Sequence, residues 1–305
     1  MKIFVLAPTF NELCHVKKFL QAWQGIALIA PRDVTIEIVI ANANMGDETS
    51  EYIYIFGSSS LKVTEVACEK EDFWSSSIAK GLKYIFENSC DDLIVLTNID
   101  VRPIDSPLEL IMSIARVNKP TVIATKVSDE RNEQCSLELG SKFSCLALNL
   151  KKPVNEPYNT KVFLDEFPGY SFLEVDMMPT RFVISKVRTL QIAGFPNYTK
   201  LPHYAADYEY TYRLKKNRVR LLVTEDYNAV VDAANTGVSI YNKRNNFFSR
   251  LNQIFNKKSK INVTDSFWLV ILCVPKRYVF SALLSTYFKI ILFVLFGSKV
   301  NKFRG

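Results

Sequence analysis

Four short apolar runs, KIFVLA at 2–7, TIEIVIA at 35–41, LKVTEV at 61–66 and DLIVLT at 92–97, alternate with segments at 11–23, 49–56 and 75–88 whose apolar residues fall at helical spacing. Aliphatic runs of that length read as strands, and the segments between them as helices. A β-α-β-α rhythm leaves few folds open, because it implies a mostly parallel sheet covered by helices on both faces. Ligands of such sheets sit outside the carboxyl ends of the strands. The loops to inspect are therefore PTFNE, NANMGDE and NIDVRP, after the first, second and fourth strands. The second half is less regular: a strand at 121–127, a hairpin over 135–150, a strand and helix over 181–192 ending at Gly194, a helix over 207–217 and a last strand at 220–224. No internal repeat is visible.

Two segments carry candidate chemistry. In LIVLTNIDVRP a buried-type strand runs into Asn98, Ile99 and Asp100 and is stopped by Pro103. A carboxylate at that strand end can hold a divalent ion against a diphosphate, because hard cations take oxygen ligands and keep places for phosphate and water; a solvated turn aspartate is the plainer alternative. In LPHYAADYEYTYRLKKNR, Asp207 and Glu209 open a helix and Arg213, Lys215 and Lys216 close it. That charge order matches the helix dipole, so Asp207 is either a cap or a carboxylate kept ionised to accept a proton from an attacking hydroxyl.

Taken together, APTFNE, IANANMGDET, EDFWSSSIAKGLKYI, LIVLTNIDVRP and LPHYAADYEYTYRLKK resemble, in order and spacing, the family 2 glycosyltransferases of the GT-A fold, over about the first 235 residues. The resemblance is nearest to bacterial, polysaccharide-type inverting enzymes with an FW pair before the third helix and an LPHY-type segment before the catalytic aspartate. It implies a Rossmann-like, mostly parallel central sheet with a C-terminal helical extension, in which residues 1–105 form the nucleotide-sugar half and 106–235 the acceptor half. By this resemblance Pro8, Thr9, Asn11 and Glu12 match the first nucleotide-binding loop, and Asn42 and Asn44 the second. Asp100 matches the last aspartate of a DxD-like motif and would bind Mg²⁺ or Mn²⁺ on the donor's diphosphate. Asp207 matches the base of an inverting transfer. Glu209 matches the acidic position two residues on, and Trp74, Asp176, His203 and Tyr204 fall where sugar and acceptor would bind. The chain departs from the family pattern at Ala41, where an aspartate usually stands and Asp47 follows downstream. It departs again at Asn98 and Ile99, which leave Asp100 as the motif's one carboxylate, at Ala206 in place of glutamate, and at Ser75, Ser76 and Ser77.

The implied activity is transfer of a sugar from a UDP- or dTDP-type donor to a hydroxyl of a glycan or lipid-linked acceptor. A nucleotidyltransferase shares the sheet, but would show a Gly-rich, Arg-containing loop after the first strand, and PTFNE has neither residue. A non-catalytic nucleotide-sugar-binding protein of the same fold is the third reading.

After residue 236 the resemblance fades. Basic, Asn-rich sequence at 243–260 gives way to SFWLVILCVP and then to YVFSALLSTYFKIILFVLFG at 278–297. Twenty residues make a helix of about 30 Å, enough to reach across a bilayer core. Lys289 and the hydroxyls of Ser281, Ser285 and Thr286 favour a helix lying in the interface of an anionic membrane; spanning, or packing on the catalytic domain or on a second subunit as a homodimer, are the alternatives. The formal charge of +7 suits an anionic partner, taken here as membrane and phosphate rather than nucleic acid. Six scattered cysteines read as free thiols. The short apolar run before Pro8 is no signal-peptide core. The expected location is cytoplasmic, on the inner face of the cell membrane.

Overall fold

In the computed structural model, residues 1–43, 46–57, 61–89, 91–143, 151–153, 161–232, 247–257, 259 and 261–297 are described. The first hundred residues fold as their pattern demands: β1 (Lys2–Thr9), α1 (Leu13–Ile29), β2 (Thr35–Asn42), α2 (Thr49–Gly57), β3 (Lys62–Ala67), α3 (Trp74–Asn88) and β4 (Leu93–Thr97). These strands lie side by side in the order β4-β1-β2-β3, all parallel. Successive side chains point to opposite faces. Ile3, Val5 and Ala7 therefore join a core under α1, while Phe4 and Leu6 join a second core under α3. At Gly81 the α3 backbone approaches β1 so closely that an added Cβ would collide with the end of Leu6, which is why KGLKY keeps a glycine inside a helix.

The second half extends the same sheet with β5 (Val101–Pro103), α4 (Leu108–Ala115), β6 (Thr121–Asp129), β7 (Asn132–Ser136), β8 (Ser141–Phe143), β9 (Lys151–Pro153), β10 (Val162–Phe163), β11 (Ser171–Glu174), β12 (Phe182–Lys186), α5 (Val187–Gln191), α6 (Ala206–Lys216) and β13 (Arg220–Val231). The order runs β10-β11-β13-β6-β12-β4-β1-β2-β3. β12 is antiparallel to both β4 and β6, pairing Phe182 with Thr97. The start of β12 thus lies beside the carboxyl end of β4, at the functional edge.

Two expectations are corrected and one element is added. The last strand does not stop at Thr224: a register shift between Thr224 and Asn228 lets the chain bulge, resume pairing with β6 and add β5 as a partner. The expected hairpin over 135–150 is two pairings, β7 folding back on β6 and β8 pairing β9, with 144–150 outside the described residues. Leu108–Ala115, unread in the sequence, is a helix burying Leu110, Ile111 and Ile114. The C-terminal extension is helical as expected: α7 (Phe247–Phe255), α8 (Val263–Cys273) and, after a 3-10 turn at Lys276–Tyr278, α9 (Val279–Phe296). Cys14 and Cys68 carry free thiols.

One buried carboxylate holds the opposite, amino end of the sheet. Glu37 on β2 is 1% exposed and accepts from Lys62 Nζ at 2.9 Å, Thr64 Oγ1 at 2.8 Å, Tyr84 Oη at 2.8 Å and Lys2 Nζ at 3.1 Å. Burial alone would push its pKa up, but the four donors together hold it at about 2. A carboxylate depressed this way stabilises the fold fully above its unfolded value near 4.5 and loses that contribution as pH falls towards 2. We predict that Glu37→Gln costs roughly 3 kcal/mol at neutral pH, measured by urea unfolding. The wild-type advantage over the variant should shrink below about pH 4.5.

Candidate functional site

The site is assembled at the carboxyl ends of β1, β2 and β4. At the end of β1, the Thr9 carbonyl accepts from the Ala43 amide at 3.0 Å. The Thr9 hydroxyl is 4% exposed. Among the described residues nothing bonds to it, and a buried hydroxyl left so costs free energy. Asn11 then turns through the left-handed region at φ +55°, which asparagine tolerates better than most residues. Glu12 follows. Its carboxyl is pushed up to about 7, first by burial and then by the charge of Asp100, so the first and fourth loops converge.

In the second loop, Asn42 is fully buried and its amide donates to Glu65 Oε1 at 2.8 Å and Ser50 Oγ at 3.3 Å. The side chain ties β2 to β3 and α2. Asp47 accepts from the backbone and hydroxyl of Thr49 at the start of α2. Asn44 lies outside the described residues.

The loop after β4 is fixed from three sides. Trp74 Nε1 donates to Asn98 Oδ1 at 3.0 Å, Thr97 Oγ1 donates to the Arg181 carbonyl at 2.7 Å, and the Val101 amide donates to the Asn98 carbonyl at 3.1 Å. The antiparallel register that pairs Val101 with Val231 brings Asp232 opposite Asp100. Burial chiefly raises the Asp100 pKa, with Asp232 adding to it; His15, its own backbone hydrogen bond and Arg181 pull the other way. Asp100 is therefore a half-buried carboxylate with Asp232 and Glu12 close enough to repel it. Such a group calls for a cation.

The third component comes from α6. Ser75 Oγ donates to the carbonyls of Leu201 and Pro202 at 2.8 and 2.6 Å, fastening LPHY to the start of α3, and the triple serine thereby gains a structural reason. His203 stacks edge-on with Tyr204 at 4.6 Å and with Phe73 at 6.1 Å. Ala205 adopts φ +64°, a conformation costing a non-glycine residue about 1–2 kcal/mol, and its carbonyl accepts from the Glu209 amide. Strain of this kind, held by surrounding contacts, gathers at functional sites. Asp207 then sits in the first turn, with Oδ1 accepting from the Tyr208 amide at 2.9 Å. Burial raises Tyr208 well above the usual phenol range, with the charges of Glu138 and Asp207 adding to it and Arg181 opposing. Arg181 likewise opposes the rise of Tyr204 and of Asp100, and its guanidinium donates to the Glu138 carbonyl at 3.2 Å.

Two of the expected residues are not brought to this cluster. Glu209, two residues from Asp207, projects to the other side of α6 at 100° per residue. It is 5% exposed and bound at 2.9 and 3.0 Å to Arg213, which also holds the Phe195 carbonyl. Asp176 accepts from the Phe143 amide at 2.9 Å and lies 3.9 Å from Lys215 Nζ. Lys215 is eight residues along α6 from Asp207, or about 12 Å. Both carboxylates fasten secondary structure. Conversely, Arg181, His15, Asp232 and Tyr208 belong to the cluster without having been singled out. Arg181 could have been found: it precedes a strand running antiparallel to β4, so its backbone must face the end of that strand.

Among the described residues, no group of three His, Cys, Asp or Glu side chains is arranged to hold a metal ion. The donor set nevertheless fits an ion shared with a ligand. Mg²⁺ and Mn²⁺ commonly bind through one or two carboxylates and take their remaining oxygens from phosphates and water, and Asp100 with Asp232 opposite offers that much.

No family model and no curated protein matches this chain. Solved structures do. A mannosyltransferase from Pyrobaculum calidifontis, PcManGT, in complex with GDP-Man and Mn²⁺, is 13% identical with TM-score 0.54, over 97% of this chain and 76% of that one. The fragment 1–349 of TarS from S. aureus is also 13% identical, with TM-score 0.55 over 95% and 90% of the two chains. GalNAc-T7 with UDP, GalNAc and Mn²⁺ is 11% identical, with TM-score 0.52 over 76% of this chain but only 44% of its own length. The fold is thus the GT-A fold, in accord with the sheet expected from the sequence.

Proposed function

We propose that this chain is a nucleotide-sugar-dependent glycosyltransferase that moves a sugar from a UDP- or dTDP-type donor to a hydroxyl of a glycan or lipid-linked acceptor, with inversion. The observation that supports the reading is that Asp100, on the loop after β4, and Tyr204 and Tyr208, the neighbours of Asp207, all feel the charge of Arg181. The structural neighbours support a nucleotide-sugar donor in general, since their names carry GDP-Man, UDP and Mn²⁺.

The chemistry follows from the placement. Asp207 accepts the proton of the acceptor hydroxyl as its oxygen attacks the anomeric carbon, and the bond from that carbon to the diphosphate oxygen breaks with its electron pair left on the diphosphate. Arg181 would offer a cation to the negative charge developing on the leaving group. Asp100 would hold a divalent ion, whose contribution when bound is Lewis-acid neutralisation of the diphosphate. The Thr9 hydroxyl and the turn at Asn11 offer polar groups to the nucleoside. Trp74, through Asn98, keeps the loop carrying Asp100 in place.

The test is release of nucleoside diphosphate from a panel of UDP-, dTDP- and GDP-sugars with Mn²⁺ or with EDTA. Release with Mn²⁺ that EDTA abolishes is the expected result. A chain that binds these donors without releasing diphosphate in the presence of any acceptor glycan would instead be a binding protein of this fold, a reading favoured by the lack of a three-ligand cage among the described residues.

A further inference from the structure

The C-terminal helices leave an apolar surface that the catalytic cluster does not use. Along α9, Phe280, Leu284, Phe288, Ile291 and Leu295 are 75, 59, 54, 54 and 53% exposed. Steps of four, four, three and four residues place them in one row on one face of the helix. Ala282, Ser285, Ile290 and Val294 on the other face are buried, where α9 packs against α7 and α8. A continuous row of large apolar side chains differs from the scattered single ones of an ordinary surface.

The charge is distributed to match. Residues 236–305 hold twelve of the 38 Lys and Arg but only Asp265 of the 31 Asp and Glu, a net +11, whereas residues 1–235 are net −4. The protein's whole positive excess therefore lies in the segment that carries the apolar row. Lys276 and Arg277 are exposed at the amino end of α9, with the Arg277 guanidinium 4.6 Å from the Tyr278 ring; basic and aromatic residues together are what membrane interfaces collect.

We infer that this face docks the chain on an anionic lipid surface, with α9 lying along the headgroup boundary. The helix is long and apolar enough to cross a bilayer, but one side of it is packed on α7 and α8, and α8 in turn packs on α6. A helix held in this way inserts its free face and leaves the other against protein. A second copy of the chain is a poorer occupant, because a two-fold contact would bring two segments of net +11 together. The helices also adjoin the segment leading into α6: Lys200, just before LPHY, lies 4.5 Å over the Trp268 ring of α8. The docking does not rest on the transferase reading, and its test reads lipid binding alone.

The full chain is sedimented with phosphatidylcholine vesicles and with mixed phosphatidylcholine–phosphatidylglycerol vesicles, at low and high salt. Binding to the mixed vesicles, weakened by salt and weak without phosphatidylglycerol, is expected. Phe280→Asp with Phe288→Asp should weaken it roughly 100-fold, and Lys276→Gln with Arg277→Gln about 25-fold. All four positions are outside the packed face, and circular dichroism checks that each variant is folded. Recovery of the wild type in the supernatant with both vesicle types overturns the inference. So does equal binding by folded stripe variants, or a soluble dimer that the stripe substitutions dissociate while vesicle binding is absent.

Discussion

Asp207→Asn is expected to lower the rate of sugar transfer by roughly 10²–10⁴-fold while leaving donor binding and folding unchanged. Asparagine keeps the oxygen that accepts the Tyr208 amide, so the first turn of α6 retains its local hydrogen bond, and only the ability to take a proton is lost. A cap and a base therefore separate cleanly. Losing a cap lowers stability by about 0.5–2 kcal/mol and need not touch the rate, whereas losing a base lowers kcat with the melting temperature intact. Acceptor-dependent transfer and thermal unfolding are measured on the same two proteins. The cap position of α6 is Ala205, without a side-chain cap bond, so an Asn variant transferring at the wild-type rate would leave Asp207 as a first-turn acid that only complements the helix dipole.

The parallel half of the sheet was legible because it is built from local signals. Each of β1, β2 and β4 is buried along nearly its whole length, so its residues are mostly apolar, with Glu37 the charged exception, and the polar loop following each marks the ligand edge. What escaped depends on contacts distant in sequence. β5 is three residues long and exists because β13 bulges and returns to pair with it; nothing in VRP alone announces a strand. With that pairing missed, Asp232 could not be placed opposite Asp100, and the DxD-like motif read as having one carboxylate where the fold draws a second from 132 residues downstream.

The same division separates the candidate residues. Helical geometry alone already turns Glu209 away from Asp207, and the Arg213 four residues on was its natural partner. Asp176 could not be judged locally, because its partners Phe143 and Lys215 are distant in sequence. Trp74 is the reverse case. An aromatic residue opening a helix reads as core, and Trp74 does pack against the core under α3, yet its indole N–H reaches Asn98. It carries the rigidity of that core to the loop holding Asp100.

Asp100→Ala is expected to remove the Mn²⁺ dependence of diphosphate release and to slow it on the order of 10³-fold, since Lewis-acid neutralisation of a leaving diphosphate is worth several kcal/mol. The argument is electrostatic. Burial, Glu12 and Asp232 all disfavour the ionised form of Asp100, so without a cation the loop is held in an arrangement that a divalent ion would relieve. Protons compete for the same charge. Glu12, pushed up to about 7, is neutral below that pH and ionised above it, so Mn²⁺ affinity measured by electron paramagnetic resonance should rise as pH passes through about 7. Glu12→Gln should flatten that rise while keeping Asp100-dependent binding. The stability of the metal-free chain should move in the opposite sense: a carboxyl raised by burial favours the fold while protonated, and that contribution is lost as pH climbs from about 4.5 through about 7. A chain whose Mn²⁺ affinity is indifferent to both substitutions has no metal at this edge, and the charges of Glu12, Asp100 and Asp232 would then be balanced by protein cations such as Arg181, His15 and Arg131, which lies 3.4 Å from Asp232.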